Sequence, residues 1–448
     1  MATKNHHTRR TFIGFGLAAS AGIATRSRAQ SPNEKLNIAI IGTGGRGGAN
    51  TGGVKGEAIY ALCDTNPSAL SAAKKRFPAA KTTSDWREVV DDPAIDAVVV
   101  STADHHHAPA SIAAMRANKH VYSEKPLAHT VQEARWMQDE YIKRKDKIAT
   151  QMGTQIHATQ NYRRAVELVQ LGVVGPVKQA HVWCGRTIRA VGQGVLPEEK
   201  VPAGFNWETW LGPAPERAHN TGYWKGGNLN WNRRWDFGNG VLGDMGSHLI
   251  DLPYWALDLK RPSTVKAEGT ANDKVAAPPS QIVTWRHENA AVGGNERGDI
   301  DLIWYHGPQG MKEMAARLQP KLGKDTNIAK WHIGVAFVGT EGTIVSDYGK
   351  IVLSPGTKFK DFKRPGASIV KSAGHHKEWI NACKGKGESL CNFDYSGALI
   401  ENNLLGNLAH RAALGKELKW DAEKFEITNH EEANSLLSKS YRKGWEVA

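Results

Sequence analysis

Six residues constrain this chain more than any others. Gly42-Thr43-Gly44-Gly45-Arg46-Gly47 follows directly on the apolar run Leu36 to Ile41 and opens a stretch of small residues. A second apolar run, Ala58 to Cys63, ends on Asp64, 22 positions beyond the first glycine. An isolated Gly-x-Gly-x-x-Gly is a weak signal. With a strand before it, a helix after it and an acid at this distance, it predicts a βαβ unit that holds a dinucleotide. Gly42 permits the tight turn, Gly44 lets a pyrophosphate approach the backbone, and Gly47 lets the helix pack on the strand. The helix N-terminus then faces the phosphates. Asp64 is placed to accept from the adenosine ribose hydroxyls and would repel a 2′-phosphate. NAD is therefore the expected cofactor, with Arg46 and Lys74 keeping NADP open.

Further strands are expected at Ile95 to Ser101, His120 to Glu124 and Ile148 to Met152, with a short one before Thr83. Helices at Pro67 to Arg76, Trp86 to Val90, Ala108 to Ala117 and Thr130 to Arg144 separate them. Alternation at this spacing implies a doubly wound parallel sheet of the Rossmann type. Beyond residue 155 the rhythm changes. A helix at Asn161 to Leu171 leads to a strand at Val177 to Trp183. A Gly/Pro/Trp-rich stretch, 187 to 240, has little periodicity. Alternating runs at 282–286, 299–305, 334–338 and 343–347 predict a second, mostly antiparallel open sheet, covered by helices at 372–383 and 395–414. The expected organisation is a leader over 1–29, a cofactor-binding domain over 30–155 and an α+β domain for substrate binding and oligomerisation over 156–448.

The leader rests on Arg9-Arg10 set before the moderately apolar run Phe12 to Ala24, with Ser27-Arg28-Ala29 as a small-residue cleavage site. The pattern resembles a twin-arginine export signal and implies a periplasmic or otherwise extracytoplasmic protein. The apolar run is too short for a span, which needs ~20 residues, so no stable membrane insertion is expected. An exported nicotinamide enzyme cannot draw on free cofactor, and a tightly held dinucleotide follows. The net charge of +13 includes five basic residues of this leader. The remaining Lys and Arg are scattered without interleaved aromatics, which argues against a nucleic-acid partner. Four cysteines show no metal-ligand spacing, although Cys383 and Cys391 can close a small loop in an oxidising compartment.

Three further segments carry chemistry: Ser101 to His107, Ser123-Glu124-Lys125-Pro126-Leu127, and Gly238 to His248. With the glycine turn, they resemble the Gfo/Idh/MocA family, which includes glucose–fructose oxidoreductase and inositol dehydrogenase. The resemblance covers essentially the whole chain after the leader. It implies that Thr102, Asp104, His107, Glu124 and Lys125 lie beside the cofactor together with Gly42, Gly44, Arg46, Gly47 and Asp64. It also implies a homodimer or homotetramer, paired in many members through the open face of the second sheet. Ala103 departs from the proline common at its position.

The residues make chemical sense in their own right. Lys125 follows the carboxyl end of a parallel strand, where such sheets bind ligands, and can stabilise a developing alkoxide. Asp244 and His248 share one helix face; His248 can take a hydroxyl proton, and Asp244 can bind substrate or orient the imidazole. The 15 Trp and the run Trp231 to Asp236 suit a sugar or polyol, making Arg234 and Trp235 candidate substrate contacts alongside Gln155 and His157. The triple histidine 105–107 is not read as a metal site, since successive loop residues diverge and no acid or thiol joins them. The expected activity is hydride transfer from a secondary hydroxyl of a sugar or polyol. The alternative is a glycoside lyase or hydrolase working through a transient 3-keto sugar; a non-catalytic sugar-binding protein is a third class.

Overall fold

The computed structural model describes residues 34–188, 195–292 and 295–447. The twin-arginine leader lies outside the described residues.

The first sheet contains β1 (Asn37–Ile41), β2 (Ala58–Cys63), β3 (Lys81–Thr83), β4 (Ala97–Val100), β5 (His120–Ser123) and β6 (Thr150–Met152). All pairings are parallel, in the order β3-β2-β1-β4-β5-β6. The order reverses between β1 and β4, which opens a crevice at their carboxyl ends. β1 and β4 are buried on both faces, as the unbroken apolar runs demand. Local signals set the helix boundaries. Asn66 caps the helix Pro67–Arg76, with Pro67 at its first position. Thr130 and Glu133 form a reciprocal capping box for Val131–Ile142.

The second sheet has nine strands: β7 (Val177–Cys184), β8 (Thr264–Gly269), β9 (Gln281–Val292), β10 (Asn295–His306), β11 (Ile333–Gly339), β12 (Thr343–Ser346), β13 (Ile351–Ser354), β14 (Glu417–Asp421) and β15 (Glu426–Ile427). They run in the order β13-β12-β11-β7-β10-β9-β8-β14-β15. β7 and β10 are parallel and the other pairs antiparallel. The inner face packs Val182, Trp285, Leu302 and Phe337 against the helix Phe393–Ala413. At the centre of this layer Glu401 is fully buried and accepts from Arg135, Arg261 and Trp420.

Sequence reading assigned no element to Gly307–Leu318. This segment is a helix, and with residues to Trp331 it covers Trp183, Ile303, Tyr305 and Ala336 on the outer face. That face is therefore open only in part. Successive apolar residues such as Leu302, Ile303, Trp304 and Tyr305 record burial on both sides but not which segment provides the cover. The four cysteines are free, Cys383 and Cys391 included.

Candidate active site

The glycine turn has the geometry its residues predict. Gly42 has φ +84°, and a Cβ there would lie 2.5 Å from the Ser101 carbonyl oxygen. A Cβ on Gly47 would lie 1.9 Å from the Gly42 oxygen, so Gly47 packs beneath the turn and sets the approach of helix to strand. Asp64 Oδ2 accepts from the Thr43 amide (2.7 Å), the Thr43 hydroxyl (3.0 Å) and the Gly44 amide (3.3 Å). Arg46 Nε donates to Glu124 at 3.0 Å and Lys74 Nζ to the Ala80 oxygen. The two cations that could meet a 2′-phosphate beside Asp64 are bound elsewhere.

A cleft of about 1060 Å³ runs from this turn across the carboxyl ends of β1 and β4 into the second domain. Gly42, Gly44, Arg46, Asp64 and Thr102 line one end, and Glu124, Lys125, Gln155, Asp244 and His248 the other. Groups more than a hundred residues apart in sequence thus share one cavity. The sheet reversal, the acid at β2 and the cradle that only glycines allow fit a dinucleotide.

Lys125 lies two residues beyond β5, and the Lys125–Pro126 peptide is cis. Its ammonium pairs with Asp244 Oδ1, while Arg186 takes Asp244 Oδ2. Both Asp244 oxygens are therefore held by cations, and neither is hydrogen-bonded to His248. This corrects one option read from the four-residue spacing, that Asp244 orients the imidazole. Leu242–Gly246 winds as a π-helical turn before Ser247–Leu249 continues as α-helix; such turns concentrate at functional sites. Burial opposes charge on Asp244, but Lys125 and Arg186 hold its carboxyl below the usual range. Burial likewise opposes the charged Lys125, and Asp244 and Glu124 raise its pKa. His248 is pushed down to about 4 by burial and then by the Lys125 charge, and its Nδ1 has no hydrogen-bond partner. It stands uncharged at neutral pH with one nitrogen free.

Glu124 organises the wall behind Lys125. It accepts from Arg46, Asn50 (2.9 Å) and Gln155 (3.0 Å); burial opposes its charge, but Arg46, Lys125 and Asn50 hold its carboxyl below the usual range. Gln155 also donates to the Tyr122 hydroxyl.

Six predicted site residues lie outside the cleft lining, among them Gly47, which packs beneath the turn. Asp104 is buried and accepts from Asn239; desolvation pushes its carboxyl well up. His107 sits between the Pro126 oxygen (2.6 Å from Nδ1) and the Thr102 oxygen (3.1 Å from Nε2), and its one N–H can donate to either, bracing the loops there. His157 faces Asp251 at 3.0 Å and stacks on Trp255 at 3.8 Å, inside the second domain. Arg234 is buried over the Tyr223 ring, and Trp235 donates to the Asp273 oxygen. A bridge between Arg234 and Ala276 turns this run toward the 273–277 segment, leaving Trp231 as its cleft residue.

His105 and His106 both meet the Trp210 oxygen. Among the described residues, His157, Asp251 and Cys391 place ligand atoms within 4.8 Å of one another, with Asp251 already bonded to His157 and Tyr395.

Arg186, Phe205, Trp210 and Trp224 are cleft residues that sequence reading did not single out. Arg186 carried one usable signal, its place two residues beyond β7; the aromatics stood in a stretch without periodicity.

Two family models match this chain. One, the oxidoreductase family NAD-binding Rossmann fold, covers residues 36–152; the other, the oxidoreductase family C-terminal alpha/beta domain, covers residues 163–317. The chain belongs to the Gfo/Idh/MocA oxidoreductase family. Its first domain is that family's NAD-binding fold. A levoglucosan dehydrogenase from Pseudarthrobacter phenanthrenivorans is 32% identical over 161 residues, 32% of this chain and 39% of the relative. A glycosyl hydrolase family 109 protein from Solibacter usitatus is 32% identical over 203 residues, 40% of this chain and 44% of the relative. The matches span less than half the length of these curated relatives. Among solved structures, the WlbA dehydrogenase from Bordetella pertussis, in complex with NADH and UDP-GlcNAcA, superposes with a TM-score of 0.59. It is 16% identical, over 87% of this chain and 99% of that one, and shows the shared fold.

Proposed function

We propose that this protein is an NAD-dependent dehydrogenase acting on a secondary hydroxyl of a sugar or polyol. The observation that carries the reading is the pairing of Lys125 with Asp244 beside an uncharged His248 whose Nδ1 is unpaired, in the same cleft as the glycine turn. A bound nicotinamide supplies the hydride acceptor. Lys125, fixed by Asp244, orients the substrate oxygen and stabilises the negative charge that grows on it. His248 takes the hydroxyl proton as the C–H electron pair leaves, so the carbinol becomes a ketone and one proton stays on the protein. Arg186 keeps Asp244 ionised and in place. Trp231 offers a flat face for a sugar ring.

The levoglucosan dehydrogenase relative supports oxidation of a sugar hydroxyl. The test is a single-turnover measurement of NADH absorbance on adding sugars and polyols to holoprotein. Reduction by at least one of them is expected; no reduction by any counts against the proposal. The family 109 relative favours a second reading, a glycosidic bond cleaved through a transient ketone. Free sugar released without net NADH decides for it.

The export reading, with a periplasmic location, stands on Arg9-Arg10 and the run behind them. Loss of export of a reporter fusion on Arg9→Lys with Arg10→Lys is the expected result. A homodimer or homotetramer is the proposed assembly, checked by light scattering.

A further inference from the structure

The dinucleotide groove of a Rossmann domain is ordinarily open along its outer side. Here a segment of the second domain lies across it. Asn206 donates its backbone N–H to the Thr65 oxygen (3.0 Å) and its side-chain amide to Ser84 Oγ (3.1 Å). Both acceptors lie just past the strands that flank Asp64. From there the short helix Trp207–Leu211 runs over the groove, and the Trp210 oxygen accepts from His106 at 2.9 Å, on the β4 side. The segment is thus tied to both banks. Phe205 and Trp210 line the cleft beneath it, facing Thr65, Ser84, Trp86 and His106. Phe205 stacks on Trp224 at 4.4 Å, so that ring is backed by a second.

We infer that Phe205 to Trp224 form the outer wall of the adenosine subsite and hold the cofactor in place. The inference rests on the dinucleotide reading of the cleft. With the ribose on Asp64, the base attached to it enters the slot between the two banks, where Phe205, Trp210 and Trp86 line the cleft. Its faces are flat, apolar and rimmed by polar groups, which suits a purine ring.

A second segment locks the first. Arg442 donates to the oxygens of Gly212 and Glu208, both at 2.8 Å, and pairs with the carboxylates of Glu208 and Glu216. Trp445 is buried against Trp86 and His106, with Arg87 over its ring at 4.2 Å. Neither Arg442 nor Trp445 lines the cleft. Both are positioning residues, acting through the segment they clamp. Release of the adenosine half then requires these contacts to open together, so retention is written into the off-rate. A protein exported with its cofactor needs this property.

The test follows bound NADH by fluorescence while excess NAD chases it, in the full chain and in Arg442→Ala, Trp445→Ala and Asn206→Ala. Loss of charge-assisted hydrogen bonds predicts release faster by about tenfold or more in Arg442→Ala, and loss of one neutral hydrogen bond or of ring packing predicts release faster by roughly severalfold in Asn206→Ala and Trp445→Ala. Affinity for ADP-ribose falls in parallel, and affinity for nicotinamide mononucleotide, which lacks the adenosine, stays unchanged. Where Trp445→Ala fails to fold, Arg442→Lys, which keeps the charge and loses the fork, gives the same readout. Variants that release NADH at the parental rate, or that weaken both half-ligands equally, overturn the clasp alone. A parent that binds no NADH overturns the cofactor reading and the clasp with it.

Discussion

Replacing Lys125 by Met keeps the side chain's length and apolar stem and removes its charge. The side chain is 13% exposed and its ammonium sits on Asp244 Oδ1, with Arg186 still holding Oδ2 in the variant. The fold should therefore survive, and NADH should still bind at Gly42 and Asp64. The chemical step should not. A positioned donor on a developing oxyanion contributes about 2.7–4 kcal/mol, which corresponds to a loss of about 10²–10³ in kcat. A second effect separates catalysis from simple packing. His248 is held to about 4 by burial and by the Lys125 charge. Without that charge its pKa rises toward the ordinary value of about 6.5. The base form is then lost at higher pH, so the acid limb of kcat/KM moves upward. Stopped-flow NADH formation between about pH 3.5 and 8, a window that spans the folded value near 4 and the ordinary histidine value, reads both effects. A Lys125→Met protein within about threefold of the parent in kcat, with an unmoved acid limb, refutes the assigned role.

Other outcomes follow from the same geometry. Gly42→Ala places a Cβ 2.5 Å from the Ser101 oxygen at φ +84° and should abolish NADH binding in a fluorescence titration while circular dichroism stays native. Glu401→Ala leaves Arg135 and Arg261 without their buried acceptor, a change of about 3–5 kcal/mol in urea unfolding. Burial holds His248, His287 and His306 at about 4 and His375 at about 3, so these rings are uncharged when folded. Between pH 6.5 and 4 (roughly the unfolded and folded values) only the unfolded chain takes up protons at these rings. Stability is thus full above that window and falls as pH drops, by up to ~1.4 kcal/mol per pH unit for each ring. Urea midpoints that do not move between about pH 7.5 and 5 would contradict this linkage.

The first domain was legible because its signals are local. A buried parallel strand has an unbroken apolar run, and the acid at the end of β2 sits at the spacing that a βαβ crossover sets. The elements from β1 to β6 follow those signals, as do the glycines whose added Cβ would strike backbone. The second domain gave up its strands at 282–286 and 299–305 for the same reason. It did not give up the helix Gly307–Leu318, because an outer sheet face reads as apolar whatever covers it.

The site divides in the same way. That Gly42, Asp64, Lys125, Asp244 and His248 belong to one centre follows from motifs a sequence carries. Which partners those side chains choose does not. Asp244 is bound to Lys125 and Arg186 rather than to His248, and His107 braces Pro126 instead of facing the cleft. His157, Arg234 and Trp235 turned inward because each found a stacking or hydrogen-bond partner in the second domain. The glycine turn was determined by the sequence alone, since steric exclusion of a Cβ acts between neighbours in the chain and the strand beside it. The lysine–aspartate–arginine cluster and the aromatic wall over the groove were decided only by tertiary structure. They join residues 125, 186, 244, 205 and 442, and contacts between such distant segments depend on how the two sheets pack, which no local pattern encodes.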